Sequence, residues 1–371
     1  MSLSPPDGHS RPPRVLITVP CLDLPGGVAN YYRTLRPHLG PEKRYFEIGA
    51  RPGESGWWAG VARIVRDYWR FHRCLVTDAV DLVHINPSLG PRSIVRDGLL
   101  LLIARVHGRP VLVFFRGWDP AFEARLRARH ARLFRWVYGQ ASALVVLAEE
   151  FARACVEMGL GVPVAVETTV VADEVFAQPP GREPDRDGAG ILFLSRLDRG
   201  KGLEEAIDAM AAVHGRFPAA SLTIAGDGPE RGGAEERVRA RGLERVTFTG
   251  HLADGDRARA YRAASIFLFP SHHEGMPNAV LEAMAFGLPV ITRAVGGLRD
   301  FFEDGRMGYI TESRDPAVLA GLLGRLLADP SLRAAMGQYN RDYARRRFAA
   351  SVVAARLLEI YGRVAGQGGA R

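Results

Sequence analysis

The segment PSHHEGMPNAVLEAMAFGLPVITRAVGGLRD at 270–300 sets two carboxylates, Glu274 and Glu282, around a glycine-containing turn that leads into a helix near 278–286. Glu274 falls on the turn and Glu282 about one turn into the helix, so the two are close in space but aimed differently. Backbone amides around Gly275, Met276, Pro277 and Asn278 form a helix amino terminus, where unpaired donors and the helix dipole favour a phosphate. A carboxylate on either side suits hydrogen bonds to sugar hydroxyls, because ionised Glu accepts in two directions. A plain helix cap flanked by solvated acids fits the same residues.

A second segment, ILFLSRLDRGKGLEEAIDAM at 191–210, repeats the order strand, turn, helix. Arg196 ends the strand and Lys201 sits between two glycines at the helix entry. A planar fork and a point charge so placed can hold a diphosphate and stabilise its negative charge as it leaves; an exposed basic turn is the alternative. The Walker spacing is not met, since Ser195 takes the first glycine position and Gly202 the last, which disfavours a nucleoside triphosphatase. LTIAGDGPERG at 222–232 fails the dinucleotide fingerprint at Arg231, which disfavours an NAD oxidoreductase. PGGVANYY at 25–32 offers Gly26 and Gly27, either for close approach of backbone to a ligand or for a tight turn.

These segments need strands and helices to hold them. Short aliphatic runs at 14–19, 81–85, 110–115, 143–147, 162–166, 191–195, 221–226, 246–250, 265–270 and 288–292 alternate with helix-length stretches, the pattern of parallel strands covered on both faces. The fold class is α/β, with about six strands in each half and two doubly wound units facing each other across a cleft. The pattern fails in the proline-rich, charged stretch between 172 and 189. The expected plan is a disordered tail at 1–13, a first domain at 14–172, a linker at 173–188 and a second domain at 189–347. A closing helix at 348–371 either returns to the first domain or caps the second. After Asp315 the chain reads as three helices, at 316–328, 331–347 and 351–363.

The chain has 371 residues, 47% hydrophobic and 24% charged, enough for two cores without staples. Three cysteines without a CxxC argue against a disulfide scaffold or structural zinc and suit a reducing cytoplasm. The start lacks a signal-peptide apolar stretch, and the longest purely apolar run, 99–104, is far too short to span a bilayer. Any membrane contact is expected to be peripheral. The net charge of +8 favours anionic partners. Lys43 and Lys201 are the only lysines, which singles out Lys201. No aromatic stacking platform suggests nucleic acid.

Taken together, GGVAN, SRLDRGKG, AGDGP, VTFTG and the EGMPN…LE…GLPVI…GG block resemble, in order and spacing, the retaining GT-B glycosyltransferases of the glycogen-synthase-like, family 4 type. The resemblance spans nearly the whole chain and is most specific over 191–300. It implies two Rossmann-like domains, a nucleotide-sugar co-substrate, no other cofactor and no obligatory divalent metal. It assigns Arg196, Lys201 and the amides of 275–278 to the donor diphosphate, Glu274 to the donor sugar, Glu282 to the ribose, the backbone at Leu252 to the base, and Gly26 and Gly27 to the phosphates. In the mechanism it implies, the acceptor attacks on the face the diphosphate leaves, and the leaving oxygen takes the proton.

The sequence also departs from that family. A first-domain His is expected after the fourth strand, where FFRGWD supplies Arg116, Trp118 and Asp119. Arg cannot act as a neutral base but can donate hydrogen bonds to sugar or acceptor. His84, Trp118 and Asp119 are candidates for acceptor contact, His84 with core packing as its alternative. Asp300 stands where the family has Glu. The D-x-D triplets at 254–256 and 185–187 do not follow an apolar strand, so no bound metal is expected. The helices at 57–73, with Trp58, Val61, Val65 and Trp69, and at 122–139, with Trp136, present either a basic face to an anionic bilayer or an apolar face to the sheet. The resulting expectation is a cytoplasmic hexosyl- or N-acetylhexosaminyltransferase at the inner face of the plasma membrane. It would move a sugar from a UDP- or GDP-sugar to a glycan or lipid-linked glycan in cell-surface polysaccharide biosynthesis. The alternatives are a non-catalytic nucleotide-sugar-binding protein and an epimerase or phosphorylase of the same fold.

Overall fold

The computed structural model describes residues 11–24, 26–51, 57–177 and 189–368. In chain order the first elements are β1 (Val15–Val19), α1 (Gly27–Leu39), β2 (Lys43–Glu47), α2 (Trp57–Thr77), β3 (Leu82–Ile85), β4 (Ser88–Leu89) and α3 (Pro91–Val106). Next come β5 (Val111–Phe114), β6 (Gly117–Trp118), α4 (Pro120–Arg125), a π-helical turn (Leu126–His130), α5 (Ala131–Tyr138), β7 (Ala143–Val146), α6 (Glu149–Glu157) and β8 (Val164–Val166). The second half holds α7 (Asp173–Ala177), β9 (Gly190–Leu194), α8 (Leu203–His214), β10 (Ser221–Ala225), α9 (Arg231–Ala240), β11 (Val246–Gly250) and α10 (Asp254–Ala263). It continues with β12 (Ile266–Phe269), α11 (Asn278–Ala285), β13 (Val290–Arg293), a 3-10 turn (Gly296–Asp300), β14 (Gly308–Thr311), α12 (Pro316–Ala328), α13 (Pro330–Phe348) and, last, α14 (Ala350–Gly368).

Two compact units result, 1–170 with 350–371, and 171–349. Each has one six-stranded sheet, β2-β1-β3-β5-β7-β8 in the first and β11-β10-β9-β12-β13-β14 in the second. Every pairing in both sheets is parallel. Central strands such as β1, β5 and β12 are buried along their whole length, as a sheet covered on both faces requires. Strand order reverses between β1 and β3 and between β9 and β12, and ligands of such sheets bind beyond the strand ends at these switch points.

The ten aliphatic runs all become strands. The sixth strand of each sheet, β2 (KRYFE) and β14 (GYIT), comes from a segment outside that set. β2 is an edge strand whose Lys43 and Phe46 are buried while Arg44 is exposed, so its charge hid it. The small β4–β6 ladder, Leu89 opposite Trp118, was not anticipated either.

The boundary differs from the expected linker at 173–188. The break falls at 170/171, because α7 belongs to the second unit. Arg341 Nη2 donates to the carbonyls of Val175 and Phe176 at 3.3 and 3.2 Å, and Arg345 Nη2 to that of Phe176 at 3.0 Å. Residues 178–188, with the D-x-D at 185–187, lie outside the described residues. So do 1–10 of the expected tail, whereas Arg11 lies 3.7 Å from Asp81. Phe348 and Ala349 stay with the second unit, and α14 packs in the first, against α1. Arg356 of α14 makes two hydrogen bonds to Glu167, at 2.8 and 3.0 Å.

His84 also meets α14. It is fully buried, with Nδ1 2.7 Å from the Tyr361 hydroxyl, Nε2 3.4 Å from that of Tyr32, and its ring stacked on Phe114. It is therefore a core histidine, and its candidacy for acceptor contact is corrected. Burial first, and then the nearby charge of Arg116, push its pKa down to about 3. An unfolded His titrates near 6.5. Between these values the unfolded chain binds the extra proton, so stability falls as pH drops from about 6.5 to about 3. Removing the ring in His84→Gln should flatten the dependence of the unfolding free energy on pH in that window by up to about 1.4 kcal/mol per pH unit. Parallel curves for the two proteins, followed by circular dichroism, would refute this.

Candidate active site

In the second unit the loops after β9 and β12 meet at the switch point. Lys201, at the entry to α8, donates to Glu274 Oε1 at 2.7 Å, and the Ser271 hydroxyl donates to the same oxygen at 2.8 Å. The His272 amide closes the contact by donating to the Gly200 carbonyl at 2.7 Å. Gly202 permits this approach. Its φ is +76°, and a Cβ there would lie 2.2 Å from the Pro270 carbonyl oxygen. The two residues singled out from separate motifs thus form one ion pair, both largely shielded from solvent.

α11 begins at Asn278, as expected for a helix near 278–286. Pro277 has no N–H, which corrects its place among the donor amides. It supplies instead the carbonyl that accepts the amides of Val280 and Leu281 at 3.1 and 3.4 Å. The amides of Asn278 and Ala279 are the first-turn donors left without a helical acceptor. Asn278 Oδ1 is buried with no hydrogen-bond partner among the described residues. Glu282 lies 3.3 Å from Arg257 of α10, so the two carboxylates do face different cations. Arg196 is exposed and pairs with Asp198 rather than with Glu274. It lies two residues past the end of β9 rather than on it. Leu252 is half-buried, two residues beyond β11. Asp256 of the 254–256 triplet pairs with Arg259 on its own helix.

The residues that brace this loop were missed. Buried Arg293, at the end of β13, donates from Nε to the Pro270 carbonyl at 2.9 Å and lies 3.4 Å from Glu205, which also meets His272 Nε2 at 2.5 Å. Gly296, with φ +50°, lets the 3-10 turn back against the loop. A Cβ there would lie 2.2 Å from the Gly275 oxygen and 2.3 Å from that of Glu274, and the Gly297 amide donates to the Gly275 carbonyl at 2.8 Å. AGDGP has a similar task, since Cβ atoms at Gly226 and Gly228 would lie 1.8 Å from the Ser195 oxygen and 2.5 Å from that of Leu197. The signal for both was the glycine itself, read without its neighbour.

In the first unit, Gly26 is the N-cap of α1 and Gly27 its first residue; a Cβ on Gly26 would meet nothing within 4 Å. The fold itself makes no steric demand for glycine at position 26. Arg116 lies over the Tyr31 ring at 3.7 Å and the Phe114 ring at 4.4 Å. Its Nε and Nη1, and the Tyr31 hydroxyl, are buried without a hydrogen-bond partner by geometry among the described residues. Burial pushes the Tyr31 pKa up to about 12, against the opposing charge of Arg116. Of the two residues expected at the acceptor, Trp118 is buried and packed into the fold, while exposed Asp119 caps a helix. The Trp118 indole stacks on Phe151 at 4.6 Å and donates to Glu123 at 2.6 Å, and the Asp119 carboxylate caps α4 through the amides of Ala121 and Phe122.

Residues 176–343 match the family model Glycosyl transferases group 1. A phosphatidyl-myo-inositol mannosyltransferase of Mycobacterium leprae is 29% identical over 308 residues, which cover 81% of this chain and 78% of that protein. A glycogen synthase of Mycobacterium tuberculosis is 30% identical over 203 residues, 54% of this chain; the match spans about half of that protein, 49%. Among solved structures, sucrose-phosphate synthase from Thermosynechococcus elongatus has a TM-score of 0.73 at 20% identity, covering 94% of this chain and 98% of that one. Anabaena HepE in complex with UDP-glucose also has a TM-score of 0.73, at 17% identity, covering 93% and 98%. The second unit thus matches the group 1 glycosyltransferases in sequence, and the chain as a whole has the two-domain fold of these GT-B structures.

Proposed function

We propose that the chain is a retaining hexosyl- or N-acetylhexosaminyltransferase that uses a UDP- or GDP-sugar and a glycan or lipid-linked glycan acceptor. Its setting would be cell-surface polysaccharide biosynthesis at the cytoplasmic face of the membrane. The observation that supports this most is the Lys201–Glu274 pair, held at a sheet switch point beside the amino terminus of α11. In this reading Lys201, Arg196 and the amides of Gly275, Met276 and Asn278 take the donor diphosphate. Glu274 accepts from the donor sugar hydroxyls, Glu282 from the ribose, and the backbone at Leu252 meets the base. In the first unit, Arg116 donates from its unpartnered nitrogens to a hydroxyl of sugar or acceptor.

The acceptor oxygen then attacks the anomeric carbon on the face from which the diphosphate departs. The bond from that carbon to phosphate oxygen breaks as the new glycosidic bond forms, and the acceptor proton passes to the leaving oxygen. Such a step depends on stabilising the leaving charge, which fixed cations and helix-terminal amides do without reorganising. No divalent metal is part of the proposal.

A thermal-shift panel of nucleotide sugars and nucleoside diphosphates, with and without EDTA, tests it. Specific binding raises Tm by mass action. The expected result is a rise confined to one nucleotide family and indifferent to EDTA, followed by sugar transfer from that donor. No rise with any donor would count against the proposal.

A further inference from the structure

Right-handed crossovers from β2, β3 and β5 put α2, α3 and α5 on one face of the first sheet, α2 packed against α3 and α3 against α5. This layer holds an unusual share of exposed apolar side chains: Ile64, Val65, Trp69 and Val76 on α2, Val95, Leu99 and Val106 on α3, Leu133 and Trp136 on α5. Among the described residues only Val156 and Val318 join them as large exposed hydrophobics. Val65 and Trp69, read from sequence as one stripe, thus point outward, while Asp67, Phe71 and Leu75 form the buried side of α2. The side chains of Trp58 and Val61 lie outside the described residues.

Between α3 and α5 the layer opens into a groove of about 480 Å³. Its walls include Val95, Leu99, Leu102, Leu133, Phe134 and Trp136. Along the helices of this layer the charge is almost all positive. The segments 57–77, 91–106 and 120–138 hold twelve arginines and three acids, a surplus of nine against +8 for the entire chain. The three acids are committed: Asp67 to Arg51, Asp97 to Arg96, and Glu123 to Arg127 and Trp118. No helix among the described residues is long and apolar enough to cross a membrane.

We infer that this face docks on an anionic phospholipid bilayer, with one lipid hydrocarbon chain lodged in the α3–α5 groove and the surrounding arginines on the headgroup phosphates. Charge complementarity selects this occupant. A neutral hydrophobic partner gains nothing from the arginine surplus, whereas a bilayer of acidic lipid supplies chain and anion together. The inference deepens the membrane side of the proposed function and rests on it only for the location of the acceptor; the contact itself needs no sugar chemistry.

The test is sedimentation of the full chain with vesicles of phosphatidylcholine, with or without 30 mol % phosphatidylglycerol, and quenching of Trp fluorescence by brominated acyl chains. Binding should require the anionic lipid, and bromine quenching should fall in Trp136→Phe. Leu99→Glu with Leu133→Glu, both at exposed positions, should lower partitioning at least tenfold while Tm and the donor-induced thermal shift stay unchanged. Arg129→Glu with Arg132→Glu should do the same. Binding that survives the groove substitutions and vanishes only with salt would overturn chain insertion. Absence of vesicle binding, or self-association through this face, would overturn the whole inference. A retained donor shift in either case would leave the transferase proposal standing.

Discussion

Replacing Glu274 by alanine is expected to lower single-turnover transfer by about 10²- to 10³-fold, the usual loss when one fixed polar contact to a developing transition state is removed. Affinity for the free nucleoside diphosphate should change little. The reasoning is geometric. Glu274 receives Lys201 and the Ser271 hydroxyl on the same oxygen, Oε1, so Oε2 is the oxygen free to accept from a sugar hydroxyl. Its loop is braced by Arg293 on the Pro270 carbonyl and by Gly297 on the Gly275 carbonyl, neither of which depends on the carboxylate. The variant should therefore fold. Glu274→Gln keeps volume and one acceptor oxygen, so it should retain more transfer than alanine. Transfer assays paired with titration calorimetry decide the matter: an equal loss of nucleotide affinity would move Glu274 from the sugar to the diphosphate.

How much of this was readable beforehand depended on what each residue needs. The two strand–turn–helix segments were legible because glycine and proline mark turns locally, and the Lys201–Glu274 contact follows from two such turns lying at neighbouring strand ends. Direction was not legible. His84 sits near the end of β3 as expected, but side chains alternate along a strand, and only the fold shows that this one points into the α14 side rather than outward. Trp118 was misjudged for a similar reason, since its stacking partner Phe151 and its acceptor Glu123 lie beyond any local pattern. The bracing of the loop by Arg293, Glu205 and His272 joins three distant segments, and no spacing rule connects them. The unit boundary failed through a further long-range effect: α7 follows a composition typical of linkers yet is held by two arginines of α13.

The same long-range economy explains why Lys201, Ser271 and Glu274 come together within one unit. β9 and β12 are paired at the reversal of strand order, so every loop leaving them is brought within reach of the other without any special sequence. Glycines at 202, 226, 228 and 296 then remove the Cβ atoms that would hold the loops apart. The polar groups left over, Asn278 Oδ1 among them, are those a ligand would satisfy.

Lys201→Ala should weaken nucleoside diphosphate binding by about 10- to 100-fold, corresponding to the roughly 1.5–3 kcal/mol of a hydrogen bond to a charged group. Transfer should fall further than binding, because the diphosphate gains charge as the sugar leaves and the ammonium stabilises the later state more. Lys201 is the only lysine of the second unit, and its Nζ is 2.7 Å from Glu274, so binding of a diphosphate sets a new acceptor in competition with that carboxylate. In the alanine variant Glu274 keeps the Ser271 hydroxyl, which limits the cost to the fold. Lys201→Arg is not a conservative rescue: the guanidinium is planar and longer, and the residue is flanked by Gly200 and Gly202 in left-handed conformations packed on the 270–272 loop. Calorimetry at several salt concentrations, beside single-turnover transfer, measures both losses. A variant that binds the diphosphate as well as the parent, with transfer unchanged, would remove Lys201 from the leaving-group site and leave the ion pair with Glu274 a purely structural one.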